Sequence, residues 1–137
     1  MRIIGFNLTK ILGEKPEKFS AELQINQNID LKNVTKESIP ITKEEMIKLQ
    51  FSLSINYTND NGKVEFEGSI LILPENDELK EFMEHWKKKA LPEKARVPLF
   101  NFIMNKCNIK ALYLEDELGL PLHVPLPRVT FKKPENK

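Results

Sequence analysis

The sequence predicts an α+β fold: a four-stranded antiparallel sheet (a meander), two C-terminal helices packed on its apolar face, and an extended proline-rich strap. Three observations carry this prediction. Before residue 74, apolar side chains recur at every second position in four stretches, with polar residues on the other parity. That pattern marks strands with one buried and one wet face, as antiparallel sheets have. At Pro74 the period changes to that of a helix. From Leu118 to Val129, prolines at 121, 125 and 127 keep the chain extended, because each fixes its own φ and biases the residue before it.

In chain order, Ile4, Phe6 and Leu8 alternate with Gly5, Asn7 and Thr9, which predicts a first strand over 2–11. Gly13 and Pro16 lie in a polar break. Phe19, Ala21, Leu23, Ile25 and Ile29 share one face of a second strand, opposite Glu22, Gln24, Asn26 and Asn28. Thr42 followed by Glu45 reads as a helix capping box, with Ile41 and Met46 as its apolar staple, and predicts a helical turn over 43–48. Leu49, Phe51, Leu53, Ile55 and Tyr57 then alternate strictly. After the turn Asn59-Asp60-Asn61-Gly62, Val64, Phe66, Ile70 and Ile72 alternate back, making 49–73 a hairpin. Gly68 falls on the apolar face, where a bulge or a close backbone approach is expected.

Leu79, Phe82, Met83, Trp86 and Ala90 form the stripe of a first long helix, opened by Glu75, Asp77 and Glu78 and closed by Lys87 to Lys89. A second long helix is expected over 93–107, with Pro98 either kinking it or marking its start and Asn108 as its C-cap. It is apolar nearly all round, which predicts burial on more than one side. Residues 109–118 continue as a shorter helix, and Glu115 to Glu117 read as its exposed part.

The 137 residues suit one domain, 1–137, with the polar residues 132–137 as a frayed tail. Charged residues make up 30% of the chain, yet the net charge is +1, which excludes a strongly basic nucleic-acid protein and an acidic tail. A lone cysteine, Cys107, allows no internal disulfide. The start of the chain lacks a signal peptide's apolar core, and no apolar run approaches membrane-spanning length, so a cytoplasmic protein without membrane insertion is expected.

No motif names a chemistry. His85 and His123 have no second ligand at metal spacing, Cys107 reads as a buried structural thiol, and the glycines form no phosphate loop. Glu65 and Glu67 fall on a polar strand face, where solvated carboxylates are the default. The expectation is a protein that is not an enzyme and holds no cofactor or metal. Lys87, Lys88 and Lys89 together with Arg128, Lys132 and Lys133 make an alternative nucleic-acid patch, without aromatic residues beside them for base stacking.

Three segments carry a resemblance to the SecB-like family of export chaperones: Glu67-Gly-Ser-Ile-Leu-Ile72 ending the hairpin, Pro98-Leu-Phe100 in the helix, and Leu120-Pro-Leu-His-Val-Pro-Leu-Pro-Arg-Val129 in the strap. The chain departs from that family in lacking Cys-Pro-Asn before Leu-Phe and in carrying the insert 109–119. The resemblance implies a holdase-type chaperone or protein-interaction module, a homo-oligomer, and an unfolded or partner polypeptide as ligand. Trp86, Phe102, Leu118, Leu120, Leu122, Val124 and Leu126 are the candidate polypeptide-binding residues, with Trp86 and Phe102 expected to stay partly exposed. An RNA- or ribosome-associated protein and a structural subunit of a larger complex are the alternatives.

Overall fold

The computed structural model describes residues 1–18, 23–58 and 60–130. Its strands are β1 (Arg2–Glu14), β2 (Ile25–Ser38), β3 (Glu45–Tyr57) and β4 (Lys63–Leu73), followed by helices α1 (Glu78–Trp86) and α2 (Glu93–Leu118). All pairings are antiparallel and the order is β1-β4-β3-β2. The α+β fold is therefore as expected, and β2, β3 and β4 form a meander. β1 joins beyond β4, at the opposite edge of the sheet from β2, which is a Greek-key order.

The core lies on one parity of the two central strands. Ile47, Leu49, Phe51, Leu53 and Ile55 of β3 and Val64, Phe66, Ile70 and Ile72 of β4 are buried, while Gln50 and Asn56 stay outside. Gly68 is where β1 comes closest. A Cβ there would lie 2.3 Å from the Asn7 carbonyl oxygen and 3.1 Å from the Leu8 Cα, so only glycine fits. Phe6 of β1 stacks on Phe51 of β3 at 5.8 Å between ring centroids, reaching past the intervening β4.

The edge strands depart from simple alternation because they bulge. In β1 the register shifts between Ile3 and Gly5 and again between Leu8 and Lys10. The core parity is therefore Ile3, Phe6 and Leu8, and Ile4 is 42% exposed instead of sharing that face. In β2 a shift between Leu31 and Asn33 lets both Leu31 and Val34 face the core, opposite Phe51 and Leu49. A bulge inserts one residue and so inverts the phase of everything after it. The strand consequently runs on to Ser38, beyond the segment the pattern marks. Phe19 and Ala21 of the expected second strand lie outside the described residues.

Three expectations fail for local reasons. Residues 43–48 are not helical: the capping-box signal sits in the β2–β3 turn, closed by Ile39 and Lys43 (Lys43 N–H to the Ile39 carbonyl, 2.8 Å), with Lys43 at φ 57°. From Glu45 onward the residues pair with β2 and then with β4, which outweighs the local signal. The first helix is short rather than long, nine residues, and Ala90 is exposed. The second does not stop at Asn108: it runs unbroken through Pro98 to Leu118 and ends at Gly119, φ 70°.

The buried residues of α2 are Ala95, Leu99, Ile103, Cys107, Ala111 and Glu115. Each step is four residues, so on a straight helix this line advances about 40° per step and winds roughly 200° from end to end. One flat face does not stay on the sheet. Val97, Ile109 and Tyr113 remain exposed, at 56%, 73% and 65%, so the expected burial on several sides is realised by winding and not by enclosure.

Candidate functional site

The last turn of α2 and the first residues of the strap make the most constrained polar site among the described residues. Gly119 adopts the left-handed conformation that only glycine takes without cost. Its N–H bonds the Asp116 carbonyl, and the Leu120 N–H bonds the Glu115 carbonyl at 2.8 Å. This closure turns Leu120 inward, to 4% exposure, against Gly62 of the β3–β4 turn.

Glu115, expected at the surface, is fully buried because the four-residue line of α2 carries it inward. Its carboxylate faces His123, whose side chain is 2% exposed. His123 Nδ1 lies 2.8 Å from Oε2 and 2.9 Å from Oε1, and the His123 backbone N–H donates to Oε1 at 3.2 Å. The hydrogen-bond alignment favours Oε1; Oε2 has the close charge contact but no aligned donor. The other ring nitrogen, Nε2, lies 2.9 Å from Asn108 Oδ1, which also accepts from Gln27 Nε2 at 3.1 Å. Asn108 therefore works in mid-helix and is not a cap.

Tyr57 completes the cluster from β3. Its hydroxyl donates to the Pro121 carbonyl, and burial, assisted by the Glu115 charge beside it, pushes its ionisation above the usual tyrosine range. It stays neutral and remains a donor. Two elements of the body, β3 and α2, thus grip the strap at Pro121 and at His123.

The candidate polypeptide-binding residues are distributed unevenly. Leu118, Leu122 and Val124 are half-buried, Leu120 is buried, and Leu126 is 55% exposed. Phe102 is half-buried, packed edge-on to Phe6 at 5.7 Å with the Lys106 ammonium over its ring. Trp86, expected to stay partly exposed, sits in the core at 9% exposure because α1 places it one turn beyond Phe82 on the inward side. The strap residues form a continuous run, and Trp86 belongs to the packing beneath α1 rather than to that run.

Among the alternative patch, Lys87, Lys88 and Lys89 are exposed at the end of α1, and Lys89 lies over the Trp86 ring at 4.7 Å. Arg128 is exposed in the strap, a separate element, and Lys132 and Lys133 lie outside the described residues. His85 Nδ1 contacts the Glu81 carbonyl in its own helix. Cys107 is fully buried, and burial pushes its thiol up to about 11 against an opposing pull from Lys110, so it packs as a small apolar side chain. Among the described residues, no three His, Cys, Asp or Glu side chains converge as a metal site would need.

No helix of the described residues is long and apolar enough to cross a membrane. No protein-family model and no curated protein matches the chain. Among solved structures it is similar to Mycobacterium tuberculosis Rv1957, a SecB-like chaperone in complex with a ChAD peptide from the Rv1956 HigA1 antitoxin. That likeness has a TM-score of 0.51 at 16% identity and covers 98% of this chain and 92% of the other. At such identity the likeness carries the fold alone: the architecture described above is SecB-like.

Proposed function

We propose that this chain binds polypeptide in an extended or unfolded state and holds it without cofactor or covalent chemistry, as a holdase-type chaperone does. The observation that carries the reading is the strap. Leu122 and Val124 are half-buried, Leu126 and Val129 are 55% and 100% exposed, and an extended backbone with alternating apolar side chains offers what an unfolded client lacks. The SecB-like fold supports it, since the Rv1957 chaperone with that fold holds a peptide. The candidate contact residues are Phe102, Leu118, Leu122, Val124 and Leu126; Leu120 anchors the strap from beneath.

The same exposed side chains support a homo-oligomer, in which a second copy covers what a client would otherwise cover. β1 also lies at a sheet edge and carries Ile11 at 55% exposure. A single domain working in the cytoplasm is part of the same reading.

Suppression of aggregation of a denatured client at equimolar protein tests the proposal, alongside cross-linking to an extended peptide. Protection that persists across a salt series is the expected result. Failure of both assays removes the reading, and affinity for RNA that falls steeply with salt would point to the lysine patch instead.

A further inference from the structure

We propose that Tyr57, Glu115 and the notch at Gly62 form a site that grips the main chain of an extended polypeptide, and that residues 120–123 of this same chain occupy it until a client displaces them. The site rests on the polypeptide-binding reading and deepens it, by fixing where a client's backbone is held and what bars its entry.

Two of the bonds that hold the strap go to its main chain. The Tyr57 hydroxyl donates to the Pro121 carbonyl, and Glu115 Oε1 accepts the His123 N–H at 3.2 Å. A carbonyl only accepts and a main-chain N–H only donates, and a carboxyl group keeps an accepting oxygen with or without its proton. These two roles are therefore fixed by the backbone alone. A carbonyl and an N–H two residues apart are the pair that one residue of a parallel strand engages on its neighbour. Tyr57 from β3 and Glu115 from α2 engage the same pair with two side chains. Main-chain groups recur along any polypeptide, so a grip on them reads no sequence, which is how sheet edges hold extended chains of many kinds.

The apolar part of the site is the notch. Leu120 is 4% exposed, and a Cβ on Gly62 would come within 3.0 Å of its Cδ2, so the glycine makes the room that the leucine fills. The His123 ring, lodged between Glu115 and Asn108, is the one contact that an arbitrary client lacks. It biases the site toward the strap without making the occupant permanent. The strap has no secondary structure, bends at His123 and Val124, and is exposed from Pro125 to Thr130. It is tethered at Gly119 and open at its other end, as an occupant that peels away must be. While it is seated, the apparent affinity for a client falls by the fraction of molecules with the site open. Lifting it uncovers Leu122 and Val124, which are half-buried in the seated form.

Amide exchange of the full chain, with and without a reduced and carboxymethylated protein as a permanently unfolded client, tests the site. The Leu120 and His123 amides bond the Glu115 carbonyl and carboxyl group and report the seated strap directly. At saturating client their protection should fall by roughly tenfold or more, while that of the Phe66 amide in β4 stays unchanged. Leu120→Ser weakens the occupant and leaves Tyr57 and Glu115 in place, so it should bind the client roughly tenfold more tightly. Adding Tyr57→Phe to it removes the gripping donor and should take that gain back. A synthetic peptide copying residues 118–130 should compete with the client for the Leu120→Ser chain. If that variant does not fold, the exchange measurement on the unaltered chain decides alone. A client that binds while the strap amides keep their protection overturns the site and leaves the holdase reading standing. A client that binds neither chain removes both.

Discussion

Helix α1 closes through Lys89 and helix α2 through Gly119, and the two ends use the same pair of hydrogen bonds. Lys89 N–H bonds the Trp86 carbonyl and Ala90 N–H bonds that of His85; Gly119 N–H bonds Asp116 and Leu120 N–H bonds Glu115. Both pivots sit at positive φ, 56° and 70°. The two ends differ in the segment each leads into. After Lys89 the chain passes through Leu91, 4% exposed, into another helix. After Gly119 it passes through Leu120, also 4% exposed, into a strap with no secondary structure of its own. The first continuation is held by a helix that packs along its length, the second by one apolar anchor and a buried ionic cluster. Equal closures thus lead to unequal security, since a helix has many small contacts and the strap has few large ones.

Removing the strap after Gly119 should produce the largest effect. It withdraws Leu120, worth about 2 kcal/mol of burial, and strips Glu115 of its partner, so a loss of about 4 kcal/mol is expected in a urea titration. Dye binding to newly exposed apolar surface should rise with it. An unchanged midpoint would show that the strap is a loose tail and that the two helix ends do not differ in what they secure.

Glu115→Ala comes next, at about 3 kcal/mol, because it leaves the buried His123 ring and its backbone N–H without the carboxylate they bond. The double variant Glu115→Leu with His123→Leu should recover most of that loss, since a buried ion pair is often replaced by apolar groups at little net change. A double variant as unstable as the single one would mean that shape, not charge, sets the fit of this corner.

Much of the fold is readable in the sequence, and the misreadings share a cause. β3 and β4 are central, unbulged in their mutual register, and alternate cleanly, so their parity translates directly into burial. β1 and β2 carry bulges, which invert the parity and make Ile4 look like a core residue and residues 31–38 look patternless. The site is hidden by a single boundary. With the helix stopped at Asn108, Glu115 reads as one of three surface acids. With it carried to Gly119, the four-residue line from Ala95 through Ala111 reaches Glu115, and a charge at the end of a buried line is itself a signal. No spacing reveals that the strap folds back far enough to bring His123 to that charge. Trp86 is more buried than expected because it shares the inward line of α1 with Phe82, one turn before it.

The two pivots themselves give the smaller effects. Gly119→Ala forces a Cβ into left-handed backbone and should cost about 1 kcal/mol, with the strap amides losing protection before the sheet does. If the loss is spread evenly over the molecule, α2 and the strap are one cooperative unit.

Lys89→Gly is the mirror experiment and the smallest expected change. Lysine at φ 56° carries the left-handed penalty of about 1 kcal/mol, which glycine would remove. Two terms oppose the gain. Glycine is freer in the unfolded chain, and the ammonium over the Trp86 ring at 4.7 Å contributes about 0.5 kcal/mol at an exposed position. The terms nearly cancel, so the net change should lie within about 0.5 kcal/mol of zero, read as a urea midpoint that scarcely moves at unchanged slope. Lys89→Asn separates the terms, because asparagine tolerates left-handed backbone without glycine's added freedom but also loses the ring contact. Should both variants destabilise by more than about 1 kcal/mol, the Lys89–Trp86 contact outweighs the backbone penalty. The α1 end would then be held by its side chain, as the α2 end is by Glu115 and His123.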